Sequence, residues 1–287
     1  MPEHPFARTR STVPATIFAH QALVLPLKLR WPHRFSGLAL CIGSMAPDLE
    51  FIGRMSDDWL FSHTFAAQLY FSVPVTMLLV WLLTSVLVPA VLPFVRDHPR
   101  LRLHDLAALQ APGTWSQWHV VATSAFLGGV SHWVLDGITH GGHSGWAVEL
   151  LPWLRTLVAH PGGAVPLHDA LQLWLTIAFG IASVCMYAYI SQRRLLWVWR
   201  NRTPAPLPKR GRAEGWRLAV ALVILGMQGA AVGYVLRGTE VTKLAAAGMV
   251  FGAINFVLLG ALLFGVWLQL RRGHSFLPRF APQPSSV

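Results

Sequence analysis

A histidine and an aspartate stand four residues apart in an apolar stretch near the middle of the chain. They are His132 and Asp136, in the run Ser-His-Trp-Val-Leu-Asp-Gly-Ile-Thr-His-Gly-Gly-His that extends from Ser131 to His143. In a helix this spacing places both side chains on one face. A carboxylate in such a segment is costly, which marks it as a functional candidate with His132 as its partner. Imidazole plus carboxylate is typical of first-row metal sites, but two ligands do not complete one.

Three further ionisable residues lie in or beside apolar segments and extend this pair to a possible ligand set. The complete set is His20, Asp48, His63, His132 and Asp136. Three imidazoles and two carboxylates suit zinc, manganese or iron, and two or more ions could share them. We take zinc as the working hypothesis. Such an ion makes water a nucleophile at neutral pH, and a pair of ions suits phosphoester cleavage.

Each member of the set also has a simpler structural explanation. His20 fits a satisfied core or interfacial histidine, Asp48 fits a helix cap, and His63 fits an interfacial anchor before a long span. His132 and Asp136 could form a buried structural pair, in which case apolar residues would serve packing equally well. The sequence leaves these alternatives open.

Two residues close to the set are candidates for proton transfer. Glu50 follows Asp48 by two residues and His140 follows Asp136 by four, and we assign both as candidate catalytic groups. We expect the other histidines of the loop after Asp136 to be solvated: His143, His160 and His168.

The composition is that of an integral membrane protein. Of 287 residues, 54% are hydrophobic and only 12% are charged, and the mean hydropathy is +0.47. The formal charge of +11 comes from basic residues in loops between apolar segments, which the positive-inside rule explains, so nucleic-acid binding is not expected. Cys41 and Cys185 lie in separate apolar segments and are predicted to be small buried hydrophobes. The first thirty residues do not resemble a signal peptide.

Long apolar segments predict an all-α polytopic membrane protein with about five transmembrane helices, preceded by short N-terminal helices. Pro47 is expected to stop or bend the second short helix and to leave Asp48 at its end. The first span contains three prolines and is expected to be one kinked or tilted helix. The predicted spans cover residues 65–95, 118–139, 170–190, 218–236 and 244–270.

Glycines in the last two spans recur at four-residue intervals. The pairs Gly229-Gly233 and Gly248-Gly252 are typical of closely packed membrane helices. We therefore expect these spans to pack closely against other helices.

A basic segment between the third and fourth spans sets the predicted orientation. Residues 193–217 are rich in Arg and Lys with Glu214 as the single acid, which places this loop in the cytoplasm. Counting back along the spans puts the candidate site on the outer membrane face. The predicted divisions are a motif-bearing membrane domain at 1–192 with the candidate metal site, a basic cytoplasmic loop at 193–217, a helical hairpin at 218–272 and a disordered tail at 273–287.

Four motifs resemble a known family. They are Thr-Ile-Phe-Ala-His-Gln-Ala-Leu-Val-Leu-Pro-Leu from Thr16, Gly-Ser-Met-Ala-Pro-Asp-Leu-Glu from Gly43, His63 with Thr64, and the run from His132 to His140. Over about the first half of the chain they resemble the bacterial membrane-protein family called domain of unknown function 4184, which has no established activity. More remotely, the order His, Pro-Asp-x-acid, His, His-x-x-x-Asp is similar to YdjM-like inner-membrane metal-dependent hydrolases and to the zinc phospholipase C type of site.

This resemblance implies metal-ligand roles and a location in the bacterial inner (plasma) membrane. The implied ligands are His20, Asp48, His63, His132 and Asp136. The chain departs from the remote family in having Glu50 in place of a second Asp, and only Phe61-Ser62 before His63, where that family has an arginine. An arginine would supply a bidentate contact to an anionic substrate, so its absence puts that contact in doubt.

The sequence thus predicts a metal-dependent hydrolase that acts on a phosphoester or lipid-like substrate at the outer membrane face. One alternative is a non-enzymatic membrane scaffold whose His and Asp residues tie helices together. An ion-coupled transporter is a weaker alternative, because the ionisable groups gather at one face and do not line a path through the spans. The predicted partners are the lipid bilayer and the substrate, and the oligomeric state is not indicated.

Overall fold

The computed structural model describes residues 18–54, 61–160, 163–203, 212–237 and 242–271. Within these ranges the protein is helical apart from one short hairpin, which confirms the all-α class. The predicted tail at 273–287 and the polar connection at Asp57 and Asp58 lie outside the described residues.

The elements follow one another along the chain with short connections. The α-helices are α1 (Gln21–Arg30), α2 (Gly37–Gly43), α3 (Ala46–Arg54), α4 (Val73–Leu82), α5 (Val88–Val91), α6 (Trp115–Thr139), α7 (Trp146–Leu150), α8 (Leu167–Gln192), α9 (Leu195–Val198), α10 (Arg212–Arg237) and α11 (Thr242–Arg271). Shorter 3-10 segments are Phe61–His63, Leu92–Phe94, Leu103–Ala108, Gly142–Ser144 and Pro152–Arg155, and π-helical turns are Gln68–Ser72 and Leu83–Leu87. The strands β1 (Leu157–His160) and β2 (Gly163–Pro166) pair antiparallel.

The chain forms two compact units. The first consists of residues 1–76 and 123–187, and the second of residues 77–122 and 188–287. All seven candidate site residues belong to the first unit. The domain boundaries proposed from the sequence stay a prediction.

Four helices in the described part of the chain are long and apolar enough to cross a membrane. They are Gln68–Phe94, Leu167–Gln192, Gly215–Val235 and Met249–Arg271. The remaining predicted span, the second along the chain at 118–139, is also helical as part of α6, but it is not among the four. The reason is its polar content, because α6 carries buried Ser124, His132 and Asp136 among its apolar residues.

The first span is one continuous helix that contains two π-helical turns. A π-helical turn, Gln68–Ser72, precedes Pro74, and a second, Leu83–Leu87, precedes Pro89. Proline has no N–H to donate and its ring clashes with the carbonyl one turn earlier, so a wider turn at that place accommodates it. The three prolines therefore leave one helix, as expected.

The short N-terminal helices differ from expectation at Pro47. α2 ends at Gly43, before the proline, and Pro47 lies in the first turn of α3. The first turn of a helix tolerates proline because its N–H groups have no partner within the helix. Asp48 consequently lies at a helix start and not at a helix end.

Glycines hold the last two helices together within the second unit. A side chain at Gly229 would collide with the backbone of Gly252, and one at Gly252 would collide with the backbone of Gly229. This close approach of α10 and α11 is the packing that the glycine spacing predicts.

Two predictions about burial are wrong. His168 is buried, because its ring sits at the start of α8 and its Nδ1 lies 3.0 Å from the Leu154 carbonyl oxygen. Cys185 is exposed on α8, a helix whose apolar side chains face outward as they would in contact with lipid. The side chain of His143 lies outside the described residues, and His160 is half-buried in β1.

Candidate metal centre

Five predicted ligands converge from four separate segments of the first unit. His20 directly precedes α1, Asp48 lies in the first turn of α3, and His63 ends the 3-10 turn Phe61–His63. His132 and Asp136 project from the same face of α6. Although His20 and Asp136 are far apart in sequence, His20 Nε2 lies 3.7 Å from Asp136 Oδ1.

Four of the side chains place one ligand atom each around a common point. His132 Nε2 lies 3.0 Å from Asp136 Oδ2 and 3.7 Å from Asp48 Oδ1. His63 Nε2 lies 3.4 Å from Asp136 Oδ2 and 3.5 Å from Asp48 Oδ1. The two Nε2 atoms are 3.4 Å apart.

These separations are close to the edge lengths of a coordination tetrahedron. Zinc bonds to nitrogen and oxygen of about 2.0–2.2 Å require edges of roughly 3.3–3.6 Å. The five distances among the four atoms extend from 3.0 to 3.7 Å.

Hydrogen bonds fix which ring nitrogen of each histidine faces this point. His132 Nδ1 lies 2.9 Å from the Ser44 carbonyl oxygen, which can only accept, so Nδ1 carries a hydrogen. His63 Nδ1 lies 3.1 Å from Ser62 Oγ, and that hydroxyl donates to the Pro47 carbonyl oxygen at 2.9 Å. Ser62 Oγ is therefore an acceptor for His63. In their neutral forms both rings turn an Nε2 lone pair toward the two carboxylates.

This arrangement could hold a cation. A metal-ligating histidine usually donates its second ring N–H to a carbonyl or another fixed acceptor, as His132 does. Two lone pairs and two carboxylate oxygens facing one another repel unless protons or a cation lie between them. His132 is fully buried and Asp48 and Asp136 are nearly so, and burial strengthens that repulsion.

His20 completes the set beside this group of four. Its ring stacks on that of His132, with centroids 4.0 Å apart. Burial, and next the neighbouring His132, lowers the pKa of His20 to about 4, so its ring is neutral at physiological pH, as a ligand must be. Three buried atoms of the set have no hydrogen-bond partner in the described structure: His20 Nδ1, Asp48 Oδ2 and Asp136 Oδ1.

His140 lies at the accessible edge of the set. Its side chain is 34% exposed, and its Nδ1 is 3.6 Å from Asp136 Oδ1. The same nitrogen lies 3.1 Å from Thr139 Oγ1, and Nε2 lies 2.9 Å from Gln172 Nε2 on α8. A small pocket lined by His20, Asp136 and His140 opens here.

Glu50 is buried and supports the turn that carries His63. Its Oε2 accepts a hydrogen bond from the Ser62 backbone N–H at 2.9 Å. Because Ser62 in turn contacts His63, Glu50 helps to fix the position of that ligand.

Close backbone contact aligns α2 with α6. A side chain at Gly43 would collide with the Ala125 backbone, and one at Gly128 would lie 2.6 Å from the Leu40 carbonyl oxygen. The short separation brings the end of α2 to His132, where the Ser44 carbonyl oxygen meets the ring. Small residues thus position a ligand without touching the metal site.

The supporting roles of three residues could not be predicted from the sequence. Ser44 acts through its carbonyl oxygen, which every residue type has, so its side chain gives no indication of the role. Ser62 is identified only by its adjacency to His63, and Gln172 comes from a distant helix.

The donor set fits a divalent first-row ion. Two overlapping groups have ligand atoms within 4.8 Å of one another, namely His20, Asp48 and His132, and His63, His132 and Asp136. Mixed nitrogen and oxygen donors suit zinc, manganese or iron better than magnesium or calcium, which prefer oxygen alone.

Comparison with known proteins identifies a family without an assigned activity. No curated protein and no solved structure matches the chain. A family model described as "Domain of unknown function (DUF4184)" matches residues 13–266, which includes every candidate ligand and most of the chain. The chain therefore belongs to the DUF4184 family of proteins.

Proposed function

We propose that this protein is a membrane-bound, metal-dependent hydrolase of phosphoester or related lipid-like substrates. The observation that carries the proposal is the convergence of two histidine Nε2 atoms and two carboxylate oxygens, with N–O distances of 3.0 to 3.7 Å. The ligands would be His20, Asp48, His63, His132 and Asp136, and zinc is the preferred ion.

A divalent ion held by these residues would polarise a phosphoryl or carbonyl oxygen and make water a nucleophile at neutral pH. The chain itself supplies orientation and proton transfer. His132 and His63 are held by acceptors at their Nδ1 atoms, so their Nε2 atoms keep fixed directions. His140, which lies at the pocket edge 3.6 Å from Asp136 Oδ1, is placed to pass protons between the site and solvent.

Glu50 is the second candidate for proton handling, and its geometry favours an indirect part in the reaction. Its carboxylate binds the Ser62 N–H next to His63. Glu50 would therefore affect the reaction indirectly, by helping to hold His63 in place.

The membrane setting supports a lipid-like substrate. The four apolar helices fit a multi-pass protein in a bilayer. Location in the bacterial inner membrane, with the site toward the outer face and within the 1–192 domain, is part of the proposal. The described residues that line the pocket include no Arg or Lys, so the substrate's anionic group would bind the cation directly.

Metal analysis of the purified full-length protein tests the proposal. Wild type is expected to retain at least one equivalent of zinc per chain, whereas His132→Ala and Asp136→Ala should retain little, because each removes a central ligand. His119→Ala is the matched control, since His119 is exposed on the same helix α6. Wild type and His119→Ala, but neither ligand variant, are also expected to hydrolyse phosphodiester or phospholipid substrates in a metal-dependent manner. Equal and negligible metal in all variants would refute the proposal.

A structural role is the second candidate, favoured by one contact. His132 Nε2 lies 3.0 Å from Asp136 Oδ2, which a protonated histidine would make into a buried ion pair. In a scaffold, replacing both residues by leucine should leave the melting temperature unchanged or raised, at no loss of bound metal. Loss of bound metal in that double variant would exclude the scaffold.

A further inference from the structure

We propose that the site holds two cations side by side and that Asp136 bridges them. This inference rests on the proposed metal-dependent function and extends it. The two oxygens of the Asp136 carboxylate face different histidines. Oδ2 faces His132 and His63 at 3.0 and 3.4 Å, whereas Oδ1 faces His20 at 3.7 Å and His140 at 3.6 Å.

The second position is marked by a buried polar atom with no hydrogen-bond partner. Asp136 Oδ1 is shielded from solvent and unpartnered in the described structure, and His20 faces it with Nε2, at 3.7 Å. A buried carboxylate oxygen left in this state is expensive, because its desolvation is not repaid. One cation bound at Oδ2 would leave Oδ1 uncompensated, and a second cation among Oδ1, His20 and His140 would satisfy it.

In this arrangement His140 is a ligand of the second cation, in place of the proton-transfer role given to it above. Gln172 can present either amide atom to His140 Nε2, which lies 2.9 Å from Gln172 Nε2. The Thr139 hydroxyl donates to the Leu135 carbonyl oxygen at 2.9 Å, so in the hydrogen bonds as described Thr139 Oγ1 accepts from His140 Nδ1 at 3.1 Å and the ring's lone pair is on Nε2. When the Gln172 amide oxygen turns to Nε2, the ring hydrogen moves to Nε2 and the Nδ1 lone pair becomes available to a cation beside Asp136 Oδ1. Gln172 is then the positioning residue that selects the ligand form of His140.

The two positions differ in access. The first lies between His132, which is fully buried, and the nearly buried Asp48. The second adjoins the pocket, where His140 is 34% exposed and Gln172 and Thr139 contribute to the lining. The second cation is therefore the one that meets substrate and exchanges with solvent. Two ions beside each other suit the in-line displacement at a phosphoester, because one can stabilise each of the two oxygens involved.

The test counts bound metal in the full-length protein in detergent. Apoprotein prepared with a chelator is dialysed to equilibrium against Zn²⁺, and bound zinc is measured by mass spectrometry. Wild type and the surface control His119→Ala are expected to bind two equivalents. His140→Ala should bind one, and Asp136→Asn should bind none tightly, because the bridge contributes to both positions. In wild type, Mn²⁺ should give the electron paramagnetic resonance spectrum of a spin-coupled pair, and in His140→Ala that of an isolated ion.

Each outcome separates this inference from the proposed function. One equivalent in both wild type and His140→Ala would overturn the second position and leave the metal-dependent function standing. Two equivalents in His140→Ala would overturn the assignment of His140 as a ligand, and loss of both ions from that variant would overturn the distinction between the two positions. No bound metal in wild type would overturn both proposals. Melting temperatures of His140→Ala and Gln172→Ala close to that of wild type would show that a loss of zinc is not a loss of fold.

Discussion

Replacing Gly128 by alanine is expected to weaken cation binding without altering a ligand. Gly128 lies on α6 where that helix meets the end of α2. A Cβ atom there would stand 2.6 Å from the Leu40 carbonyl oxygen and 2.7 Å from the Ser44 backbone nitrogen. Ser44 is the residue whose carbonyl oxygen receives the His132 Nδ1–H bond. The substitution therefore acts on the bond that orients a ligand.

The size of the effect follows from these distances. Moving the 2.6 Å contact out to an ordinary 3.4 Å requires a shift of about 0.8 Å between the two helices. The 2.9 Å bond from His132 to Ser44 would lengthen to about 3.7 Å, beyond hydrogen-bonding range. Overpacking of this kind costs about 1–3 kcal/mol of stability. Loss of a bond that orients a metal ligand typically reduces metal affinity about 10–100-fold.

Competition with a chromophoric zinc chelator measures this affinity in detergent. The matched control is Gly180→Ala on α8, because no atom lies within 4 Å of the added methyl group. That control should bind zinc as wild type does and gain up to about 1 kcal/mol in stability from better helix propensity.

Wild-type zinc affinity in a folded Gly128→Ala variant would refute the reasoning. It would show that the carbonyl of Ser44 does not orient His132 for metal binding. An equal loss of affinity in Gly180→Ala would point to a general effect of glycine replacement.

Two further predictions concern the second unit. Asp105→Ala should lower the melting temperature, at a cost of about 1–3 kcal/mol, because the buried Asp105 carboxylate accepts hydrogen bonds from Arg194 Nη2 at 2.6 Å and Trp197 Nε1 at 3.0 Å. Gly252→Ala should also lower the melting temperature, by forcing α10 and α11 apart where a methyl group meets the Gly229 backbone. It should leave zinc content per folded chain unchanged, because no ligand lies on either helix.

Both predictions have internal controls. Asp97→Ala removes a more exposed carboxylate of the same unit and should cost less than Asp105→Ala. Gly226→Ala would meet only a side-chain methyl of Val257, at 3.1 Å, and should cost less than Gly252→Ala. Equal melting temperatures within either pair would contradict the packing described.

The helices and the ligand types could be predicted because each has a local physical cause. Long apolar runs must be helical in a bilayer, since only a helix satisfies its own backbone there. His132 and Asp136 could be recognised as candidate site residues because ionisable groups are costly in apolar segments. The helix α6 shows the limit of this logic. Its polar residues Ser124, His132 and Asp136 are buried inside the first unit, so its overall hydropathy falls short of a span although its length does not.

Contacts made through backbone carbonyls could not be predicted. Three side chains bond to such oxygens. His132 bonds to the Ser44 carbonyl oxygen, Ser62 to that of Pro47, and His168 to that of Leu154. Every residue has such an oxygen, so the sequence does not indicate which carbonyl group bonds to which side chain. The sequence predicts a solvated His168 because it places this residue in a loop, and the contact with the Leu154 carbonyl oxygen is evident only in three dimensions.

A purely structural histidine–aspartate pair explains only part of the centre. A protonated His132 would satisfy Ser44 and Asp136 Oδ2 by itself, as a scaffold requires. It would still leave His20 Nδ1, Asp48 Oδ2 and Asp136 Oδ1 buried without partners. Each such atom costs about 1–3 kcal/mol, and three together approach the whole stability of an ordinary domain, about 5–15 kcal/mol. A cation beside Asp136 Oδ1 would satisfy that atom, which an ion pair at Oδ2 leaves without a partner, so the proposed metal binding accounts for more of the centre than a single ion pair does.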